Sequence, residues 1–160
     1  MNTSECIFVD PDWVSALHPD AAAVYRYWRS RAGARRMPAR ADIDPADLVR
    51  YLPSLMLIDV DRSAARPNYI YRLVGTREVA VRGNDPTGKS VNTHCFGHSL
   101  ADALENYDMV VERRAPHIDL AHLLSFDAMI LDRDKLFLPL GLDDRTVDMI
   151  MVYSVQERVG

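Results

Sequence analysis

The sequence predicts an α+β fold built on one antiparallel sheet, and three observations carry that prediction. Apolar residues recur at helical spacing near the start of the chain and over residues 99–114. Short runs rich in β-branched and aromatic residues occupy 55–60, 69–74 and most of the chain after residue 117. Short charged stretches join those late runs, whereas parallel strands need crossovers of about a dozen residues or more, usually helical. Four runs crowded after residue 117 leave no space for crossovers, so they form a meander of hairpins.

With 160 residues, the chain fits one domain that buries about two-thirds of its unfolded surface. Hydrophobic residues make up 48%, charged residues 26%, and the net charge is -4, which argues against disorder and against a nucleic-acid polycation. No apolar run is long enough to cross a bilayer, and the polar start Met-Asn-Thr-Ser-Glu lacks the basic and apolar regions of a signal peptide. A cytoplasmic protein with no membrane partner is expected. Cys6 and Cys95, the two cysteines, are expected as free thiols.

Residues 1–17 read as a leader with a short helical piece around Trp13 to Leu17. His18-Pro19-Asp20 opens a helix: proline suits the first turn, Asp20 suits the positive end of the dipole, and Gly33 is a natural stop. Ala21, Val24, Tyr25, Trp28 and Ala32 make one apolar stripe, which needs a partner surface. The basic stretch Arg29 to Arg40 breaks at Gly33 and Pro38 and lacks interleaved aromatics, so it is expected as a solvated helix end and linker and not as a nucleic-acid contact. Asp44-Pro45 starts a short helix that stops at Leu52-Pro53.

Leu55 to Val60 and Tyr69 to Val74 suit an antiparallel pair of strands. A polar, glycine-punctuated middle runs from Arg82 to Gly97. Ser99 to Arg114 then reads as a helix, with Leu100, Leu104, Tyr107 and Val111 on one face and Pro116 beyond its end. Ile118 to Leu124, Ala128 to Leu131, Leu136 to Leu140 and Val147 to Val155 are strand-like, with Asp132-Arg133-Asp134-Lys135 and Asp143-Asp144-Arg145 as charged turns.

Gly83 to Ser90, Gly-Asn-Asp-Pro-Thr-Gly-Lys-Ser, matches the phosphate-loop pattern letter for letter. Such a loop works between a buried parallel strand and a helix whose N-terminus faces the phosphates. Here the following Val91 to Gly97 are poor helix formers, Asp85 would place a carboxylate in the anion cradle, and the downstream strands are hairpins. The segment is therefore expected to be a turn.

Catalytic groups are equally sparse. Ser90, Ser99 and Ser125 lack a nucleophile-elbow setting, and the acidic pairs Asp132/Asp134 and Asp143/Asp144 fall at expected turns, where solvation explains them. His117 and His122, five apart along one expected strand, face opposite sides and form no metal pair.

The element order, together with Tyr27-Trp28, Arg40 to Pro45, Leu52-Pro53, Leu57 to Val60, Tyr71-Arg72-Leu73-Val74-Gly75-Thr76, Gly83 to Gly88 and Leu138-Pro139-Leu140, resembles a family of small bacterial PAS-domain proteins common in alphaproteobacteria. The likeness covers roughly residues 18–155 and is most specific in Arg-Leu-Val-Gly-Thr and Asp-x-Thr-Gly. It implies a PAS fold: a five-stranded antiparallel sheet with flanking helices, here with an N-terminal helical extension. Residues 1–17 would then be the leader, 18–53 the extension and 54–157 the PAS core. It also implies that a short helix follows the second strand and that Asp85 to Gly88 turns the chain towards the next one.

PAS folds resemble a cupped hand whose cavity can hold a small molecule, haem or flavin, so the cofactor is left unknown. Asn92 and Cys95 only echo the Asn-Cys pair of flavin photoreceptors, being two residues too far apart, and Cys95 is expected as a small core residue. Haem would need His94 or His98 as an axial ligand. Tyr71, Met129, Met149, Met151 and Tyr153 are candidates for an apolar ligand pocket, and Arg72 and Tyr107 for orienting a ligand. Val24, Tyr25 and Trp28 are the candidate dimer or partner surface, as in PAS dimers. The expected function is a sensory or protein-interaction module that is not an enzyme and acts in trans, as a homodimer, on an unidentified signalling protein. Two other classes stay open: a nucleotide-binding protein using Gly83 to Ser90, tested by a Lys89→Ala variant, and a small enzyme on a cupped fold, tested by turnover of a bound metabolite.

Overall fold

A computed structural model describes residues 10–160; Cys6 and the first part of the leader lie outside them. A 3₁₀ turn at Asp12–Ala16 leads into helix α1, Pro19–Ala32. His18 caps α1 by accepting the Asp20 N–H on Nδ1 at 3.1 Å, and Gly33 ends it. Three further 3₁₀ turns follow at Arg40–Asp42, Pro45–Leu48 and Leu52–Ser54. The helix expected over residues 45–52 is thus two turns. Pro53 disfavours helical backbone at Leu52 and removes a donor, so no α ladder can run through it.

The sheet comprises β1 (Leu55–Asp61), β2 (Asn68–Val74), β3 (His117–Asp119), β4 (Leu123–Leu124), β5 (Ile130–Leu140) and β6 (Met149–Arg158). All pairings are antiparallel in the order β2-β1-β6-β5-β3, with β4 also on β5. Helices α2 (Thr76–Arg82), α3 (Val91–His94) and α4 (Leu100–Arg113) connect β2 to β3.

Two late elements differ from expectation. Residues 118–124 are split, because Asp119 Oδ1 accepts the Ala121 N–H at 2.9 Å and turns the chain between β3 and β4. Asp132 to Lys135 is not a turn but a bulge inside one strand: pairing with β6 slips between Arg133 and Leu136, and Asp134 sits at φ 49°. By contrast, Asp143 does make the turn before β6, its Oδ1 accepting the N–H groups of Arg145 and Thr146 at 2.8 and 2.9 Å.

Both faces of the sheet are covered. Register places Met56, Val152 and Phe137 side by side on one face, and Leu57, Met151 and Leu138 on the other. The α4 residue Tyr107 packs its ring on Phe137, which puts the connecting helices on the first face. Tyr51 packs on Tyr153, and the Trp28 indole donates to the Pro139 carbonyl at 2.8 Å, so the N-terminal segment covers the second. Burial on both sides explains why β6 reads as an unbroken apolar run. It also corrects the surface expected for α1: Val24, Tyr25 and Trp28 are 0%, 4% and 2% exposed, because the stripe is consumed by the chain's own sheet.

Candidate functional site

Helix α2 begins where β2 ends. Gly75 is needed there by close approach: a Cβ at that position would overlap the carbonyl oxygens of Leu52 and Pro53. One helical turn separates Glu78 from Arg82, so both project from one face, and that face is turned inward onto the sheet. Glu78 is fully buried and Arg82 nearly so, their Oε2 and Nε lying 3.7 Å apart.

The β5 bulge supplies the other half of the cluster. Residues three apart in a regular strand face opposite sides, but the inserted residue lets Asp132 and Lys135 point to the same face. Their Oδ2 and Nζ are 3.0 Å apart, and both side chains are buried. Gln156 on β6 joins the two halves, its Nε2 donating to Glu78 Oε1 at 3.0 Å and to Asp132 Oδ1 at 3.1 Å. The Ser54 hydroxyl in turn donates to Gln156 Oε1 at 2.8 Å. Burial raises the Glu78 carboxyl above its ordinary value, the Asp132 carboxylate adds to this, and Lys135 and Arg82 oppose it.

Arg82 and Lys135 reach from this cluster into the wall of a cavity of about 280 Å³ between the sheet and α3–α4. Met56, Tyr71, Tyr107 and Phe137 form other parts of the wall, while His98, Asp102, Glu105, Asn106 and Asp119 stand around it from α4 and its neighbours. Arg82 Nη1 donates to the Tyr71 hydroxyl at 3.0 Å and to the His94 carbonyl at 3.3 Å. The Phe96 ring lies 5.5 Å from the Arg82 guanidinium and 5.2 Å from Lys135 Nζ, so both cations meet its π face. Tyr107 is 4% exposed, and burial, followed by the nearby Tyr71 hydroxyl, holds its phenol well above the ordinary value.

Of the seven ligand candidates read from the sequence, Tyr71 and Tyr107 lie in the cavity wall, and Tyr153 packs on Tyr51 on the other face of the sheet. Arg72 lies outside that wall: it is an exposed edge residue paired with Asp59 at 3.4 Å. Met129 is 55% exposed outside the cavity. Met149 and Met151 are buried in register with Leu140 and Leu138, on the sheet face turned away from the cavity. Strand alternation separates them from Phe137 and Met56. Glu78, Arg82, Asp132 and Lys135 were missed. The Glu78–Arg82 spacing was a signal for the first pair, but no local pattern announces the bulge that brings in the second.

The phosphate-loop letters form no cradle. Gly88, at φ 83°, donates its N–H to the Tyr71 carbonyl at 2.7 Å, and the Lys89 N–H goes to Pro86 O at 2.8 Å. The Asp85 carboxylate accepts from the Thr87 N–H and hydroxyl, and the preceding strand is an antiparallel edge. Ser90 does start a helix, α3, but it is a single turn. Cys95 is a half-buried free thiol packed against the core and is not part of the cavity wall. Among the described residues, no group of three or more His, Cys, Asp or Glu is placed to hold a metal ion.

The cavity, at about 280 Å³, lies at the lower edge of the roughly 300–1,000 Å³ of sites for drug-sized ligands, with His98, one of the two histidines considered for haem, in its wall. No curated protein matches the sequence. Among solved structures, a light-oxygen-voltage domain studied with a flavin analogue is 13% identical, with a TM-score of 0.49 over 72% of this chain and 83% of its own. A fungal LOV domain photoreceptor is 11% identical, with a TM-score of 0.42 over 74% of this chain and 94% of its own. A family model described as PAS domain matches residues 16–153, a span that takes in α1 and all but the end of the sheet it covers. The chain belongs to the PAS domain family.

Proposed function

We propose that the protein is a sensory signalling module that binds a small ligand in the cavity and acts in trans on a partner, without catalysing a reaction. The observation supporting this most strongly is the continuity of the buried polar network. It runs from the cavity wall, through Arg82 and Lys135, to Gln156 on the last strand and Ser54 at the junction with the N-terminal extension. A ligand that engages the two cations competes with Glu78 and Asp132 for them and alters what Gln156 must satisfy. The ligand then favours whichever arrangement of β6 and the extension it binds better, and by no more than its differential affinity.

The buried charges pair with one another instead of presenting a nucleophile and its base, which supports a binding role. A cytoplasmic location agrees with the absence, among the described residues, of any helix long and apolar enough to cross a membrane. Self-association and the signalling partner remain part of the proposal, with contact surfaces other than Val24, Tyr25 and Trp28. Heating the protein with a low-molecular-weight metabolite extract tests the sensing role. The melting temperature is expected to rise for the wild type and not for Ala103→Phe, which fills the cavity from α4; equal responses, or none, would contradict it.

A further inference from the structure

Taking the cavity as the sensing site, as proposed above, we infer that its ligand is a small monocarboxylate seated on Arg82, Lys135 and the Tyr107 hydroxyl. These three side chains are 8%, 6% and 4% exposed, all line the cavity, and all offer hydrogen-bond donors. Part of their donor capacity lacks a strong acceptor at hydrogen-bond distance. Arg82 Nη1 is used by Tyr71 and His94 and Nε faces Glu78 Oε2 at 3.7 Å, but Nη2 meets only the Met56 sulfur at 3.4 Å, a weak acceptor. Lys135 Nζ has Asp132 on one side and the Phe96 ring on another. The Tyr107 hydroxyl makes no hydrogen bond to the described residues and, on a cavity-lining side chain, is open to a ligand. A carboxylate supplies the missing acceptors in one group, with a guanidinium fork on one of its sides.

Charge sets the number of carboxylates. Glu78 and Asp132 already balance much of the cationic charge, and Asp102, Glu105 and Asp119 stand around the opening, so a second anionic group on the ligand is repelled. Size limits the remainder of the ligand to what about 280 Å³ holds, against Met56, Phe96 and Phe137. A dianion such as phosphate or succinate is disfavoured by the same acids, and an uncharged amide presents its own N–H groups to a wall of donors.

Calorimetric titration at neutral pH with butyrate, butyramide, succinate and inorganic phosphate tests this. Butyrate is expected to bind at least about tenfold more tightly than each of the other three. Lys135→Met is expected to weaken butyrate by about a hundredfold, and Tyr107→Phe, which keeps the ring and its packing, by about tenfold with butyramide unaffected. Equal binding of butyrate and butyramide would overturn the carboxylate while leaving a sensing cavity intact. Tighter binding of phosphate or succinate, or an unchanged Tyr107→Phe, would overturn it too. Binding of none of the probes overturns it as well, and the metabolite-extract experiment then decides independently whether the cavity senses anything.

Discussion

Glu78 carries the least comfortable charge in the fold. Its carboxyl is fully buried, shares Gln156 with a second buried carboxyl, and stands 3.7 Å from its guanidinium partner. Replacing a whole buried ion pair by well-packed apolar residues is often harmless to stability, whereas removing the charge of one partner is not. Because the folded-state pKa is raised, the contribution of Glu78 to stability is fully present below its ordinary value and is lost as pH rises through the folded value. Urea titrations from about pH 8 down to about pH 5 should therefore show the wild type gaining stability relative to Glu78→Gln, whose amide does not titrate. His117 works the other way, since burial lowers its pKa and acid costs stability there, but it is common to both proteins and cancels in the difference. A difference independent of pH would mean that Glu78 is not strained by burial. Trp28 belongs to the same scale. With the ring 2% exposed and its N–H on the Pro139 carbonyl, Trp28→Ala should cost about 3–5 kcal/mol in urea denaturation and leave the mass by light scattering unchanged. A stable variant with altered mass would return Trp28 to an interface.

At the scale of elements, local chemistry decided what could be read in advance. Helices α1 and α4 announced themselves by a cap, an apolar stripe and a stop, and β1, β2 and β6 by apolar runs ended by polar or glycine residues. Helix α2 was legible only through the likeness to PAS proteins, because Glu78 and Arg82 look solvent-facing in sequence and are buried in the fold. The β5 bulge was not legible at all: four consecutive charged residues have the composition of a turn, and only the pairing with β6 converts them into a strand. Half the cavity wall followed the same rule, with Tyr71 and Tyr107 readable as inward aromatics and Arg82 and Lys135 hidden by the assumption that charges are solvated. Two predictions belong here. Gly75→Ala should destabilise by about 1–3 kcal/mol or more, read as a lower melting temperature, because the new methyl meets backbone carbonyls of the Leu52–Ser54 turn that cannot rotate away. Lys89→Ala, at an exposed position of a turn closed by its own hydrogen bonds, should change stability by less than about 0.5 kcal/mol. Sharp loss of nucleotide affinity in that variant would restore the phosphate-loop reading.

For the whole molecule, the N-terminal extension is what separates this fold from a sheet with one bare face. Residues of α1 and its turns share a single apolar core with β1, β5 and β6, so a change at the sheet cannot leave the extension indifferent. The cavity lies on one side of that sheet and most of the extension on the other, and the Glu78/Asp132–Gln156 network on the cavity side reaches Ser54 where the extension joins β1. In the proposed function, occupancy of the interior site would bias the extension across the sheet, which is the physical requirement for a sensory module. Native mass spectrometry after equilibration with a metabolite extract tests that claim most directly. The wild type should carry a small-molecule adduct that Ala103→Phe lacks; identical spectra for the two proteins would contradict a sensing cavity.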